Sequence, residues 1–179
     1  LCTALTGVTG KINTIAGSLQ VILWYLTKIL QNGRHGSLYI VRRRQRAPVE
    51  FEDALMERDV GLWSGLTVDE LEEAFPQAWR ARRDDPFNHR PPEGENLADM
   101  GERCGAFLES VLNGPAKNIA LITHQVMSRV ILGRLLALSA EETVQVIHPN
   151  EAFYQVTVSE VRSVSYFVAG RGPYDGLLH

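Results

Sequence analysis

His124 stands at a junction between two patterns. The apolar run Ile119-Ala120-Leu121-Ile122 ends in Thr123-His124-Gln125, and Met127, Val130, Ile131, Leu135 and Leu138 follow at helical spacing. The first reads as a buried strand and the second as one face of a helix. In a parallel α/β sheet, ligands sit outside the carboxyl ends of strands. The first N–H groups of the next helix are free there, and the helix dipole favours an anion. A histidine at such a point either contacts a phosphate or another oxyanion, or caps the helix. Glu57 is the second residue of interest. In "ALMERDVGLWSG", 54–65, it follows a candidate strand and precedes a glycine-rich turn. The basic run Arg42-Arg43-Arg44 with Arg46 is the densest positive patch; such a run is usually a solvated face, though it could also face an anionic partner.

The elements that would position these groups alternate in type. Residues 17–31 carry Leu19, Ile22, Leu23, Leu26, Ile29 and Leu30 on one stripe, which predicts a helix stopped by Asn32-Gly33. "SLYIVR", 37–42, and "VEFEDAL", 49–55, read as strands. Thr67-Val68-Asp69-Glu70 is a capping box opening a helix that uses Leu71 and Phe75 and that Pro76 ends or kinks. Residues 80–95 are polar and proline-rich and read as a surface excursion long enough to suspect function. Arg80, Arg82 and Arg83 there could read the distal part of a substrate, though Asp84 and Asp85 offset them, while His89 reads as solvated or as reaching a substrate over the site. Asn96 caps the next helix, with Leu97, Met100, Cys104, Phe107, Leu108 and Val111 as its buried stripe. Strand 118–123, helix 126–138 and strands 151–158 and 163–169 follow, with His148 in a loop and a surface tail at 170–179. The alternation predicts one α/β domain over 1–179, a largely parallel sheet with helices on both faces.

Bulk properties narrow the function classes. The chain has 179 residues, 45% hydrophobic and 22% charged, with a formal net charge of −3. That composition is of a folded chain, and its charge gives no general pull toward nucleic acid or an anionic membrane. The apolar run from Ile15 to Leu30 is interrupted by Ser18, Gln20 and Lys28 and is short for a bilayer span, so it reads as buried. Cys2 and Cys104 form neither a metal pair nor a disulfide framework, which fits a reduced, cytoplasmic setting. No signal peptide is read at the start, which is Leu1, as in a processed, trimmed or fragmentary chain. The acidic residues form no metal-ligand pattern, and no cofactor is expected.

Taken in order, the motifs resemble the histidine phosphatase superfamily, the phosphoglycerate-mutase-like fold. The family pattern Leu-x-Glu-x-x-x-Gly-x-x-x-Gly is matched by Leu55, Glu57, Gly61 and Gly65. Pro-x-Gly-Glu-Ser is matched by Pro92, Gly94 and Glu95, with Asn96 in place of Ser. A helix arginine is matched by Arg103, the strand ending in His by His124 with Arg129 behind it, and an Asn before the next strand by Asn150. Gln125, where most members have Gly, is similar to the bisphosphatase domain of the bifunctional phosphofructokinase/fructose-bisphosphatase enzymes. The match runs in order from about 49 to 158; residues 1–48 match poorly.

This resemblance implies a metal-independent phosphomonoesterase that forms phosphohistidine. One histidine attacks phosphorus, arginines and a second histidine hold the phosphoryl oxygens, and a glutamic acid protonates the leaving oxygen. It implies Glu57 as acid/base and His124 as the phosphate-binding histidine, with Arg34, Arg46 and Gln125 as further phosphate contacts and a small phosphorylated molecule as substrate. The nucleophile belongs in an Arg-His-Gly triplet ending the first strand, which points to His35, yet three alignments stay open. Arg34-His35-Gly36 would follow the segment 19–30 if that were a strand. Alternatively "LYIVR", 38–42, is the first strand and Arg43 replaces the nucleophile. In the third, Arg46-Ala47 is the family's later Arg-Ala pair. Only 21 residues separate His35 from Glu57, too few for the strand and helix units that the family has there. A truncated or rearranged N-terminus, or a divergent member, would account for this. With Arg43 in that position the chain would be an inactive relative that binds a phosphorylated ligand or partner. A mutase would need a device to retain and reorient an intermediate, and no insertion is dedicated to one.

Overall fold

The segment Leu19–Tyr25, LQVILWY, is a strand, β1, and not part of a helix. The computed structural model describes the backbone of residues 19–25 together with residues 51–116 and 118–179. The remainder of the expected helix 17–31, the expected strand 37–42, the basic run from Arg42 to Arg46, and Arg34 and His35 lie outside the described residues. The helical stripe misled because it is a subset of a nearly unbroken apolar run. Such a run also suits a strand with neighbours on both sides, and Val21, Ile22, Trp24 and Tyr25 are strand formers. β1 has those two neighbours. It pairs in parallel with β2, Asn118–Thr123, and antiparallel with β3, Ala152–Val158.

The sheet continues through β4, Ser163–Val168, to β5, Arg171–Asp175, in the order β2-β1-β3-β4-β5. Among the described strands only β1 and β2 are parallel; the other three pairs are antiparallel. The expected largely parallel sheet is thus corrected, while the α/β class stands. For β3 with β4 and β4 with β5 the physical reason is linker length. A parallel crossover needs about a dozen residues, and neither 159–162 nor 169–170 has room for one. The tail read as surface supplies exposed β5, then turns back so that Leu177 and Leu178 pack against the core.

Five α-helices are described, and their caps are local. Thr67 and Glu70 form the expected capping box of α1, Val68–Ala74. Pro76 starts a new helix, α2, Pro76–Asp84, at its first position, so the first five residues of the expected loop 80–95 are helical. Asn96 caps α3, Leu97–Asn113, reciprocally with Asp99. After β2 comes α4, Gln125–Leu136, with His124 at its N-cap. α5, Ala140–Gln145, was not expected; Ser139 and Glu142 form its capping box, a signal present in the sequence. Between the helices, the expected strand 49–55 is instead irregular at 51–52 and a 3₁₀ turn at Asp53–Leu55, capped by Glu52, whose carboxylate accepts the Ala54 N–H at 3.0 Å. A second 3₁₀ turn covers Gly61–Trp63.

The core lies between α3, α4 and the sheet. Leu97, Met100, Cys104 and Leu108 from α3 meet Met127, Val130, Ile131, Leu132 and Leu135 from α4, over Leu121, Tyr154 and Val156 of the sheet. Phe107 and Val111, expected in the buried stripe of α3, are only half-buried. Each fully buried side chain of this size contributes roughly 1.5–3 kcal/mol. The core therefore fixes α4, and with it the residues at its amino end. No helix among the described residues is long and apolar enough to cross a membrane.

Candidate active site

The carboxyl end of β2 and the amino end of α4 meet the segment that carries Glu57. His124 and Gln125 are exposed there, and His124 makes no side-chain cap hydrogen bond. The sequence leaves the first N–H groups of this helix free for an anion, but the protein supplies its own. Glu57 Oε2 accepts the Val126 N–H at 3.3 Å and Oε1 accepts the Met127 N–H at 3.2 Å. Oε1 also takes the Arg58 N–H at 3.0 Å. Only the Gln125 N–H of the first turn has no hydrogen-bond partner among the described residues. Glu57 is thus brought to the residue pair His124-Gln125 from 67 positions away.

The segment before Glu57 is held by side chains on its carbonyl groups. Thr123 Oγ1, at the end of β2, donates to the Leu55 carbonyl at 2.6 Å. Arg103 of α3 donates from Nη1 to the Asp53 and Ala54 carbonyls at 3.3 and 2.9 Å, and from Nη2 to the Met56 carbonyl at 3.1 Å. Its Nε and Nη2 also grip Glu95 Oε1 and Oε2, at 2.8 and 2.9 Å. A guanidinium has five N–H donors, and these contacts use all five. Arg103 has no donor left for a phosphoryl group.

The segment after Glu57 packs backbone to backbone on the loop 91–96. Glu95 N–H donates to the Asp59 carbonyl at 2.8 Å, and Leu62 N–H to the Pro92 carbonyl at 3.0 Å. Glycine is required on both sides. Gly61 has φ of +53°, and a Cβ there would lie 2.1 Å from the Pro92 carbonyl oxygen. A Cβ at Gly94 would lie 2.7 Å from the Asp59 carbonyl oxygen. Arg58 completes the joint, with Nε on the Glu95 carbonyl at 2.7 Å and Nη2 on the His89 carbonyl at 3.2 Å.

Positive charge gathers around Glu57. Burial, and then the charge of Arg82, lowers the Arg58 guanidinium to about 10, against the opposing pull of Glu95 and Glu57. Burial and then Arg82 likewise lower Arg129, with Glu57 opposing. Burial also lowers Arg82 itself. Arg82 makes no hydrogen bond or ion pair among the described residues. Arg129 spends Nε on the Val146 carbonyl at 2.9 Å. Arg82 is thus near enough to Arg58 and Arg129 for its charge to act on both. Arg80 and Arg83 are exposed and Asn150 is exposed in the turn before β3.

His89 differs from expectation, and His148 is buried within its expected loop. His89 is not solvated: its ring stacks on Trp63, with centroids 5.6 Å apart, and its Nε2 is buried without a hydrogen-bond partner. Burial, then Arg58 and Arg82, lowers its pKa. His148 does lie in a loop, but it is fully buried against Ser128 Oγ at 2.8 Å and edge-on to Tyr154. Burial pushes it down to about 4, so it is neutral at pH 7. Of the residues singled out for phosphate, His124 and Gln125 lie together at one end of β2, where Glu57 and Arg129 join them, while Arg34 and Arg46 lie outside the described residues. Arg82 joins them through its charge, and Arg103 belongs to the support behind them.

Comparison with known proteins matches this arrangement of elements. The family model "Histidine phosphatase superfamily (branch 1)" matches residues 36–166. The chain belongs to the histidine phosphatase superfamily. As a member of that superfamily it is similar to the human 6-phosphofructo-2-kinase/fructose-2,6-bisphosphatase 3, 34% identical over 97 residues, which are 54% of this chain and 18% of that protein. It is 28% identical over 114 residues to phosphoserine phosphatase 1 of Hydrogenobacter thermophilus, covering 63% of this chain and 54% of that one. The chain thus spans less than a fifth of the bifunctional relative and about half of the other. The solved structure of Bacillus stearothermophilus YhfR has the same fold, with a TM-score of 0.66, 18% identity, and coverage of 93% of this chain and 78% of that one. The family match starts at residue 36 and so includes Glu57, Glu95, Arg103 and His124 but not Arg34 or His35.

Proposed function

We propose that this histidine phosphatase hydrolyses a small phosphomonoester without a metal ion, through phosphohistidine, with Glu57 as acid/base and His124 binding the phosphoryl group. The observation that carries the reading is the docking of Glu57 on the first turn of α4, next to His124 and Gln125 and close enough to Arg129 for its charge to act on that guanidinium. Two phosphatases among its relatives, by their names, support the reaction class. His35 is the nucleophile in this reading. β1 supports it: the parallel register pairs Tyr25 with Thr123, so the two strands end level.

The reaction then balances in two steps. A ring nitrogen of His35 forms a bond to phosphorus as the ester P–O bond breaks. The electron pair leaves on the alcohol oxygen, which takes a proton from the Glu57 carboxyl group. Water next attacks phosphorus, gives its proton to Glu57 and releases inorganic phosphate from the histidine. His124, the Gln125 N–H and the arginines Arg34, Arg46 and Arg129 stabilise the phosphoryl oxygens.

Hydrolysis of an aryl phosphate, with and without a chelator, tests this in the wild type, His35→Ala and His124→Ala. Chelator-insensitive activity that is lost in both variants supports it. Activity lost only in His124→Ala moves the nucleophile to another residue. A folded wild type that hydrolyses no phosphomonoester overturns it.

A further inference from the structure

We propose that Arg103 is a positioning residue for Glu57: it acts on the reaction only by fixing where the acid/base carboxyl group stands. The inference rests on the proposed role of Glu57. Its basis is the run of four consecutive carbonyl groups before Glu57, at Asp53, Ala54, Leu55 and Met56. Each accepts a side-chain hydrogen bond, three from Arg103 and one from Thr123. No regular ladder or helix is available to hold this stretch, because it is a single 3₁₀ turn. The side chains replace that ladder. Arg103 is itself locked, since its paired contact with Glu95 fixes the plane of the guanidinium. Glu95 is in turn tied to Asp59, its Oε2 accepting the Asp59 N–H at 3.2 Å. The chain is thus fixed on both sides of Glu57 by one guanidinium–carboxylate pair. With all five donors engaged, Arg103 has none for substrate, so its effect must pass through Glu57.

The dependence of rate on the leaving group separates this role from a general loss of structure. A general acid matters most when the departing oxygen is a poor leaving group. The experiment compares an alkyl phosphate with p-nitrophenyl phosphate in the wild type, Arg103→Lys, Glu57→Gln and the double variant. Glu57→Gln is expected to lower kcat for the alkyl ester at least about tenfold more than for the aryl ester. Arg103→Lys is expected to show the same split with KM changed less than about threefold, and to add little to Glu57→Gln in the double variant. Equal losses on both esters, or full additivity, would overturn the proposal while leaving Glu57 its role. An inactive wild type, or a Glu57→Gln variant with no leaving-group split, would overturn the role of Glu57 and the proposal with it. If Arg103→Lys does not fold, Thr123→Val decides instead, because it removes only the bond to the Leu55 carbonyl; the same split is expected, and its absence overturns the proposal.

Discussion

Glu57 Oε1 accepts the backbone N–H of Met127 at 3.2 Å, across 70 residues of chain. A carboxylate from a distant turn therefore caps the helix that begins at His124, and the cap is also the candidate acid/base. The two roles predict a double penalty. Glu57→Gln should lower kcat by about 10²–10⁴ on an alkyl phosphate. It should also cost about 1 kcal/mol of stability, as the loss of a cap does. Steady-state kinetics and urea unfolding of the same preparation check both.

The glycine joint predicts a contrast among three alanine variants. Gly61→Ala forces a Cβ into the Pro92 carbonyl at a positive φ, and Gly94→Ala into that of Asp59. Each should cost about 2–4 kcal/mol and disturb activity, because the joint carries the chain just beyond Glu57. Gly65 also has a positive φ, of +82°, but nothing lies within 4 Å of its Cβ position. Gly65→Ala should cost only about 1–2 kcal/mol, the left-handed conformation alone. Urea midpoints of the three variants test the order.

Buried His148 predicts a pH dependence of stability. Its pKa is about 4 in the folded chain and near the ordinary histidine value of about 6.5 when unfolded. Between these values the unfolded chain binds a proton that the folded chain does not, so stability falls as pH falls from about 6.5 to about 4. Above that window the contribution is flat. The slope is at most about 1.4 kcal/mol per pH unit. Unfolding at pH 7, 5.5 and 4.5 should show it, and His148→Gln should flatten it.

Crowding of Arg82 and Arg129 predicts an effect on binding more than on the chemical step. For a substrate with a second anionic group, Arg82→Ala should raise KM about tenfold, equivalent to about 1.4 kcal/mol, with kcat little changed. For a simple aryl phosphate the change should be small. Added salt should reduce the difference between the two substrates.

What the sequence by itself determined is local. Thr67 with Glu70 and Asn96 ahead of α3 announce two helix starts, and the apolar run before His124 announces β2 and its junction with α4. These signals need only neighbouring residues, because a cap or a periodic face is written within a few positions. The short linkers after β3 and β4 allow only antiparallel pairing, a signal that the alternation of strands and helices outweighed in the expected parallel sheet. β1 was ambiguous, since a run apolar at nearly every position satisfies helix and strand alike until neighbours bond to both of its edges. The motifs named Glu57, Glu95, Arg103 and His124, and the resemblance gave roles to Glu57 and His124 but none to Glu95 or Arg103. Only the tertiary structure decided that Glu57 closes the helix after His124, and that Arg103 gives every donor to Glu95 and the chain before Glu57. Those partners lie far apart in sequence, and which donor meets which acceptor is settled only when α3, β2 and α4 pack around a shared core.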